Sequence, residues 1–254
     1  MNQETLLYTH SNNAYGHFVI PFMYFSLMAD ESYSVEVWAE DYDRHKGNVA
    51  KLNERFGGRA LLVKTFSKFP ATARFREQPK MSKAYTYISD IDIMTLDPHI
   101  RERHVANLDS RCYSNAIRNP LPIEKFPRLT GLMFVITDEW YAATEVARKL
   151  PFEGSDEMIL AQIAFSVFPE TKAELEEKGY ILHVEKSGPK TWVRPVHGIH
   201  MSPARDLHAK VGWELKSRWV NALKTIEKHK TWPEFWSMTD DKWKHEYNRI
   251  KLGK

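Results

Sequence analysis

The stretch Tyr85-Thr86-Tyr87-Ile88-Ser89-Asp90-Ile91-Asp92-Ile93-Met94 constrains this chain more than any other. Aromatic and β-branched residues alternate with polar ones and run into two carboxylates, which predicts a β-strand carrying Asp90 and Asp92. On a strand, residues i and i+2 point to one side, so the two acids would sit about 7 Å apart on the same face. Like charges so placed repel, and a cation between them relieves the repulsion. Carboxylate oxygens suit hard ions such as Mg²⁺ or Mn²⁺, which also take phosphate oxygens. Asp97-Pro98 is a turn signal. It sets the acids near the carboxyl end of the strand, where open α/β sheets bind ligands. The competing reading is a half-buried strand with both acids in solvent and Ile91 and Ile93 in the core; three residues alone do not separate the two.

Around this strand the chain alternates strand and helix, which argues for a mostly parallel sheet. Thr5 to His10 reads as a strand ending in the polar turn Ser11-Asn12-Asn13. An apolar helix follows from Tyr15 to about Asp30, then a strand from Ser34 to Ala39 that ends at Glu40-Asp41. The next helix runs from about Asp43 to Phe56 and stops at Gly57-Gly58, a C-cap signal. Leu61 to Val63 gives a further strand. Gly131 to Ile136 is strongly apolar, Glu139 to Leu150 is helical, and Ser155 caps a helix from Asp156 to Phe168. Tyr180 to Val184 reads as a strand, and Val193 to His200 leads into a loop closed by Pro203. From Leu207 the chain is helical, broken at Trp232-Pro233.

At 254 residues the chain is long enough for one full α/β core, here residues 1–206, with a helical extension at 207–254. From Arg205 to Lys254 there are 12 Lys and Arg against 7 Asp and Glu, and five of the eight tryptophans lie there. That extension is basic and aromatic, which suits peripheral contact with an anionic membrane. Helical spacing of Trp213, Trp219, Val220, Leu223 and Ile226 suits plain packing instead. No apolar run is long enough to span a membrane. Met1-Asn2-Gln3-Glu4 lacks the basic start of a signal peptide, and one cysteine forms no internal disulfide. The expectation is a cytoplasmic protein, peripheral at the inner membrane surface through its tail.

Taken in order, the polar turn after the first strand, the acidic end of the second, Asp90-x-Asp92, the Gly131 strand, Ser155-Asp156-Glu157 and the His197-Gly198-Ile199-His200 loop resemble the glycosyltransferases of the A-type fold. Within that fold, the likeness is to the retaining family of glycogenin and the bacterial lipooligosaccharide galactosyltransferases. The resemblance covers roughly residues 5 to 205. It implies a Rossmann-like α/β domain with a mixed, mostly parallel sheet, in which Asp90 and Asp92 hold Mn²⁺ or Mg²⁺ and the donor phosphates, with Ile91 between them. It further implies that Thr9, His10, Ser11 and Asn12 line the nucleotide, with Glu40 or Asp41 near base or ribose. Arg74 or Arg76 contacts donor sugar or phosphate, and Arg205 shares in neutralising the leaving group. Asp156 and Glu157 take the place of the family's Asp-Gln at a helix start facing the anomeric carbon, although first-turn acids are also favoured by the helix dipole alone. The family's late metal-binding histidine corresponds first to His197 and second to His200. Leu129 and Thr130, Glu157, and Pro203-Ala204-Arg205 depart from the family pattern.

The activity so implied is metal-dependent transfer of a hexose from a nucleotide sugar, a UDP-sugar, to a hydroxyl of a saccharide or glycolipid, with retention. A sugar-phosphate nucleotidyltransferase also uses paired carboxylates but opens with a glycine-rich phosphate loop, and Ser11 to Gly16 holds one glycine. A nucleic-acid-binding module built on the aromatic tail is the third reading. Interspersed acids and helical spacing speak against it.

Overall fold

In the computed structural model, residues 4–67, 69–105, 108, 112–118, 128–170, 197–201 and 219–251 are described. Six strands form one mixed, mostly parallel sheet in the order β3-β2-β1-β4-β7-β6: β1 (Thr5–Ser11), β2 (Tyr33–Ala39), β3 (Ala60–Lys64), β4 (Tyr85–Ile88), β6 (Tyr113–Arg118) and β7 (Arg128–Ile136). A two-stranded ribbon joins β5 (Ile93–Thr95) to β8 (Gly198–His200). This is the α/β class read from the sequence. The chain forms two compact units, and β1 passes from one to the other between Tyr8 and Thr9.

The first unit comprises residues 1–8, 69–90 and 99–195. β1 lies parallel to β4, with Thr5 opposite Tyr85 and Tyr8 opposite Ile88. β7 runs antiparallel to both β4 and β6. Every side chain of β7 from Leu129 to Val135 is buried. Such a continuous apolar run marks a strand covered on both faces. Helix α6 (Asp156–Val167) packs on β7. Ser155 caps α6, its Oγ accepting from the Met158 N–H at 3.3 Å. The segment expected as one helix from Glu139 is shorter: α5 covers Thr137–Ala143, and a 3₁₀ turn follows at Ala147–Lys149.

The second unit comprises residues 9–68, 91–98 and 196–254. A 3₁₀ turn, Asn13–Phe18, leads into α1 (Val19–Ala29). β2 and β3 pair in parallel, and α2 (Tyr42–Phe56) packs on β3. It ends at Gly57, whose φ of 66° is the left-handed C-cap expected there. Helix α1 is apolar on all sides, and its Val19 to Leu27 are buried. Part of its cover comes from the C-terminal helices α7 (Trp232–Met238) and α8 (Asp241–Lys251). Tyr24 stacks on Phe235 with centroids 3.9 Å apart, and Phe25 meets Trp243 and Tyr247. Phe235, Trp243 and Tyr247 are buried, as packing of these aromatics on α1 requires. No helix among the described residues is long and apolar enough to cross a membrane. The strand expected at Tyr180 to Val184, together with Arg205 and Trp213, lies outside the described residues.

Candidate active site

β4 ends at Ile88, and Asp90 and Asp92 occupy the turn before β5 rather than one continuous strand. The strict strand alternation expected for the pair therefore does not hold. What fixes Asp92 is the ribbon: Ile93 is opposite His200, and the Met201 N–H donates to the Asp92 carbonyl at 2.7 Å. His200 Nε2 lies 3.5 Å from Asp92 Oδ1. That is long for a hydrogen bond, yet it suits two ligands on one cation at bonds of about 2.1 Å each. Asp90 is two residues away along the chain, so covalent connection sets its distance to Asp92. Asp90, Asp92 and His200 each offer a ligand atom, all within 4.8 Å of one another.

Of the two histidines of this loop, His200 is in that group of three and His197 is not. His197 is buried, and its Nδ1 is 2.8 Å from Asp97 Oδ2, itself buried. Its carbonyl accepts from the Leu96 and Asp97 N–H groups. Residues three apart on an extended segment face opposite sides, so the ribbon that turns His200 to Asp92 turns His197 away. Gly198 permits this close pairing: a Cβ there would lie 1.8 Å from the Met94 carbonyl oxygen.

In the first unit Arg74 gathers acids. Buried on α3 (Pro70–Arg76), it sets Nη1 2.6 Å from Asp90 Oδ1 and Nη2 3.1 Å from Asp156 Oδ2. Nη1 also donates to the Ser89 carbonyl at 2.8 Å. Gly131 makes room for the pair, because a Cβ there would meet Arg74 Nη2 at 2.7 Å and Asp90 Oδ1 at 3.2 Å. Arg76 is not part of this group; it donates to the carbonyls of Arg148 and Leu150, each at 2.7 Å. Asp156 is partly exposed at the start of α6, whereas Glu157 is buried. Ile91 is buried as well.

Thr9, His10 and Ser11 at the end of β1 are buried, and His10 stacks on Trp38 at 5.1 Å. Asn12 Oδ1 accepts from the Tyr15 N–H, and Glu40 Oε2 from the Asn13 N–H. Asp41 Oδ2 is 2.9 Å from His45 Nε2 while its Oδ1 has no hydrogen-bond partner. Burial holds the His45 pKa below its ordinary value, against the pull of Asp41. Gly16 packs so tightly here that a Cβ would lie 2.1 Å from Asp41 Oδ2.

Two carboxylates and an imidazole are a donor set for a hard to borderline divalent ion. The residues present fit such an ion: one arginine faces Asp90 and Asp156, and Asp92 and His200 stand apart by a ligand-to-ligand distance. Asp97 and Gly198 were read only as a turn signal and a loop glycine; their adjacency to Pro98 and His197 was the available sign.

No protein-family model and no curated protein matches this sequence. Among solved structures, the chain is similar to the glycosyltransferase GlyE of Streptococcus pneumoniae TIGR4, at 13% identity and TM-score 0.46, over 88% of this chain and 64% of that one. The apo form of GlyE gives 11% and 0.45, over 89% and 66%. This chain thus spans just under two thirds of the length of either. It is also similar to the galactosyltransferase LgtC in complex with donor and acceptor sugar analogs, at 11% and 0.44, over 86% and 99%. A third likeness is to the 4-diphosphocytidyl-2C-methyl-D-erythritol synthase of Anaerococcus prevotii DSM 20548, at 8% and 0.46, over 66% and 85%. Scores this low decide nothing between sugar transfer and nucleotidyl transfer. The site's own residues have to carry the functional argument.

Proposed function

We propose that this chain is a divalent-cation-dependent glycosyltransferase. It moves a hexose from a nucleotide sugar, a UDP-sugar, to a hydroxyl of a saccharide or glycolipid, with retention of configuration. The observation that carries this reading is the convergence of Asp90, Asp92 and His200 just past the carboxyl end of β4. A Mn²⁺ or Mg²⁺ ion held there would stabilise charge on the departing nucleoside diphosphate. Arg74 fixes Asp90 and Asp156 at once, so the cation ligand and the acid at the start of α6 are oriented by one guanidinium. Asp156 is the group assigned to the face of the anomeric carbon, with Glu157 behind it as support. Thr9, His10, Ser11 and Asn12 form the nucleotide wall, and the unsatisfied Oδ1 of Asp41 is there to accept from a ribose or base. Arg205 is assigned to the leaving diphosphate.

The test is turnover of a panel of UDP- and GDP-sugars with Mn²⁺, with and without EDTA, run beside nucleoside triphosphates plus sugar 1-phosphates. Release of UDP that EDTA suppresses is the expected result. Pyrophosphate release from a triphosphate would make the chain a nucleotidyltransferase, and no turnover of any sugar nucleotide would sink the proposal.

A further inference from the structure

In the first unit, Arg76 and Arg148 hold each other's backbone. Arg148 Nη1 donates to the Arg76 carbonyl at 2.6 Å, and Arg76 Nη1 donates to the Arg148 carbonyl at 2.7 Å. Arg76 also reaches the carbonyls of Leu150 at 2.7 Å and Phe152 at 3.4 Å. Arg148 reaches Thr144 Oγ1 at 3.2 Å and the Tyr141 carbonyl at 3.1 Å. The end of α3 is thereby tied to the 3₁₀ turn Ala147–Lys149. Taken alone, these are two arginines capping carbonyls at element ends.

Carbonyls satisfy N–H groups but cancel no charge. Among the described residues neither guanidinium has a carboxylate within ion-pair distance. Glu145 is held by Lys149 at 2.8 Å, and Glu77, next to Arg76, is exposed. Two cations fixed together without an acid repel, and an anion between them relieves this. Each guanidinium has five N–H groups and gives three to the partners above, so two on each remain for a ligand. Planar forks of this kind match phosphate oxygens. Beside them Val146 and Leu150 are 74% and 40% exposed, and basic groups next to exposed apolar side chains suit the surface of an anionic bilayer. We propose that Arg76 and Arg148 bind a phosphate group, with Val146 and Leu150 against the apolar part of the molecule that carries it. The headgroup of an anionic lipid fits this description; a soluble phosphate ester offers the same oxygens. The inference does not depend on Asp90, Asp92 and His200 holding a cation.

The experiment is co-sedimentation of the full chain, in EDTA, with phosphatidylcholine vesicles with and without phosphatidylglycerol, beside calorimetric titration with glycerol 1-phosphate. The wild type should bind the phosphatidylglycerol vesicles alone, and less as salt rises. Arg76→Gln and Arg148→Gln should each lower that affinity about fivefold, the loss of one basic residue at an anionic surface. Those changes also cut bonds between α3 and the turn, so a second variant keeps both arginines. Val146→Glu with Leu150→Glu puts acids at exposed positions and should abolish binding at an unchanged melting temperature. Lys51→Gln, an exposed lysine on α2, controls for total charge and should bind as wild type does. Saturation by glycerol 1-phosphate at no higher phosphate concentration than the vesicles require would make the ligand a soluble ester; weaker saturation keeps it a lipid headgroup. Wild-type affinity in the double Glu variant, or an equal loss in Lys51→Gln, would put the contact on another basic surface and overturn the site. So would failure of the wild type to bind either probe.

Discussion

Asp90 shares its charge with Arg74 at 2.6 Å, whereas Asp92 faces His200 at 3.5 Å and feels the carboxylate of Glu246. Removing each acid should therefore have opposite effects on the metal-free protein. Asp92→Asn takes away a repelling charge and should leave stability equal or raised. Asp90→Asn leaves a buried guanidinium with a weaker partner and should cost about 1–3 kcal/mol. Urea unfolding without metal distinguishes the two, and a Mn²⁺ titration should show binding lost in both. Equal destabilisation would mean that Arg74 does not hold Asp90 as described.

The ribbon of β5 and β8 is a short element with a large consequence, since its register brings His200 to Asp92. Gly198→Ala would drive a methyl group to 1.8 Å from the Met94 carbonyl oxygen, so the strands must part. The expected outcome is loss of Mn²⁺ binding together with a lower melting temperature; retained binding would show that His200 is not needed. A second element-scale prediction concerns the seat of α7 on α1. Phe235 is fully buried against Tyr24 and Phe25, and Phe235→Ala should cost about 3–5 kcal/mol, read from the urea midpoint. A change below about 1 kcal/mol would return the aromatic tail to the solvent or to a membrane.

Across the molecule, acid stability should carry the signature of His17. Its pKa is held down to about 4, by burial first and then by Lys242 and Arg44. The unfolded chain takes up this proton near pH 6.5 while the native protein does not, so stability falls as pH drops from 6.5 to about 4. The loss from this group is up to about 3 kcal/mol by linkage. Glu246 runs the other way, because its raised pKa lets the native state bind a proton earlier. In His17→Gln the decline between pH 6.5 and 4 should be shallower than in wild type, measured by urea unfolding at fixed pH steps. An unchanged slope would place the acid sensitivity elsewhere.

Local chemistry was enough to read the strands β2 and β3, helix α2 with its Gly57 cap, and α6 with its Ser155 cap, because period, cap and turn residues act within a few positions. The acids and the histidine loop were legible as residue types for the same reason. Which arginine meets Asp90, and which histidine meets Asp92, was not. Arg74 and Arg76 are two residues apart, and only the placement of Gly131 and Asp156 separates them. His197 and His200 lie in one loop, and only the register of β8 against β5 turns one toward the acid and the other to Asp97. The aromatic tail is the same case. Its apolar surface was evident in the sequence, but whether a membrane or α1 covers it depends on a surface some 200 residues away, which only the tertiary fold supplies.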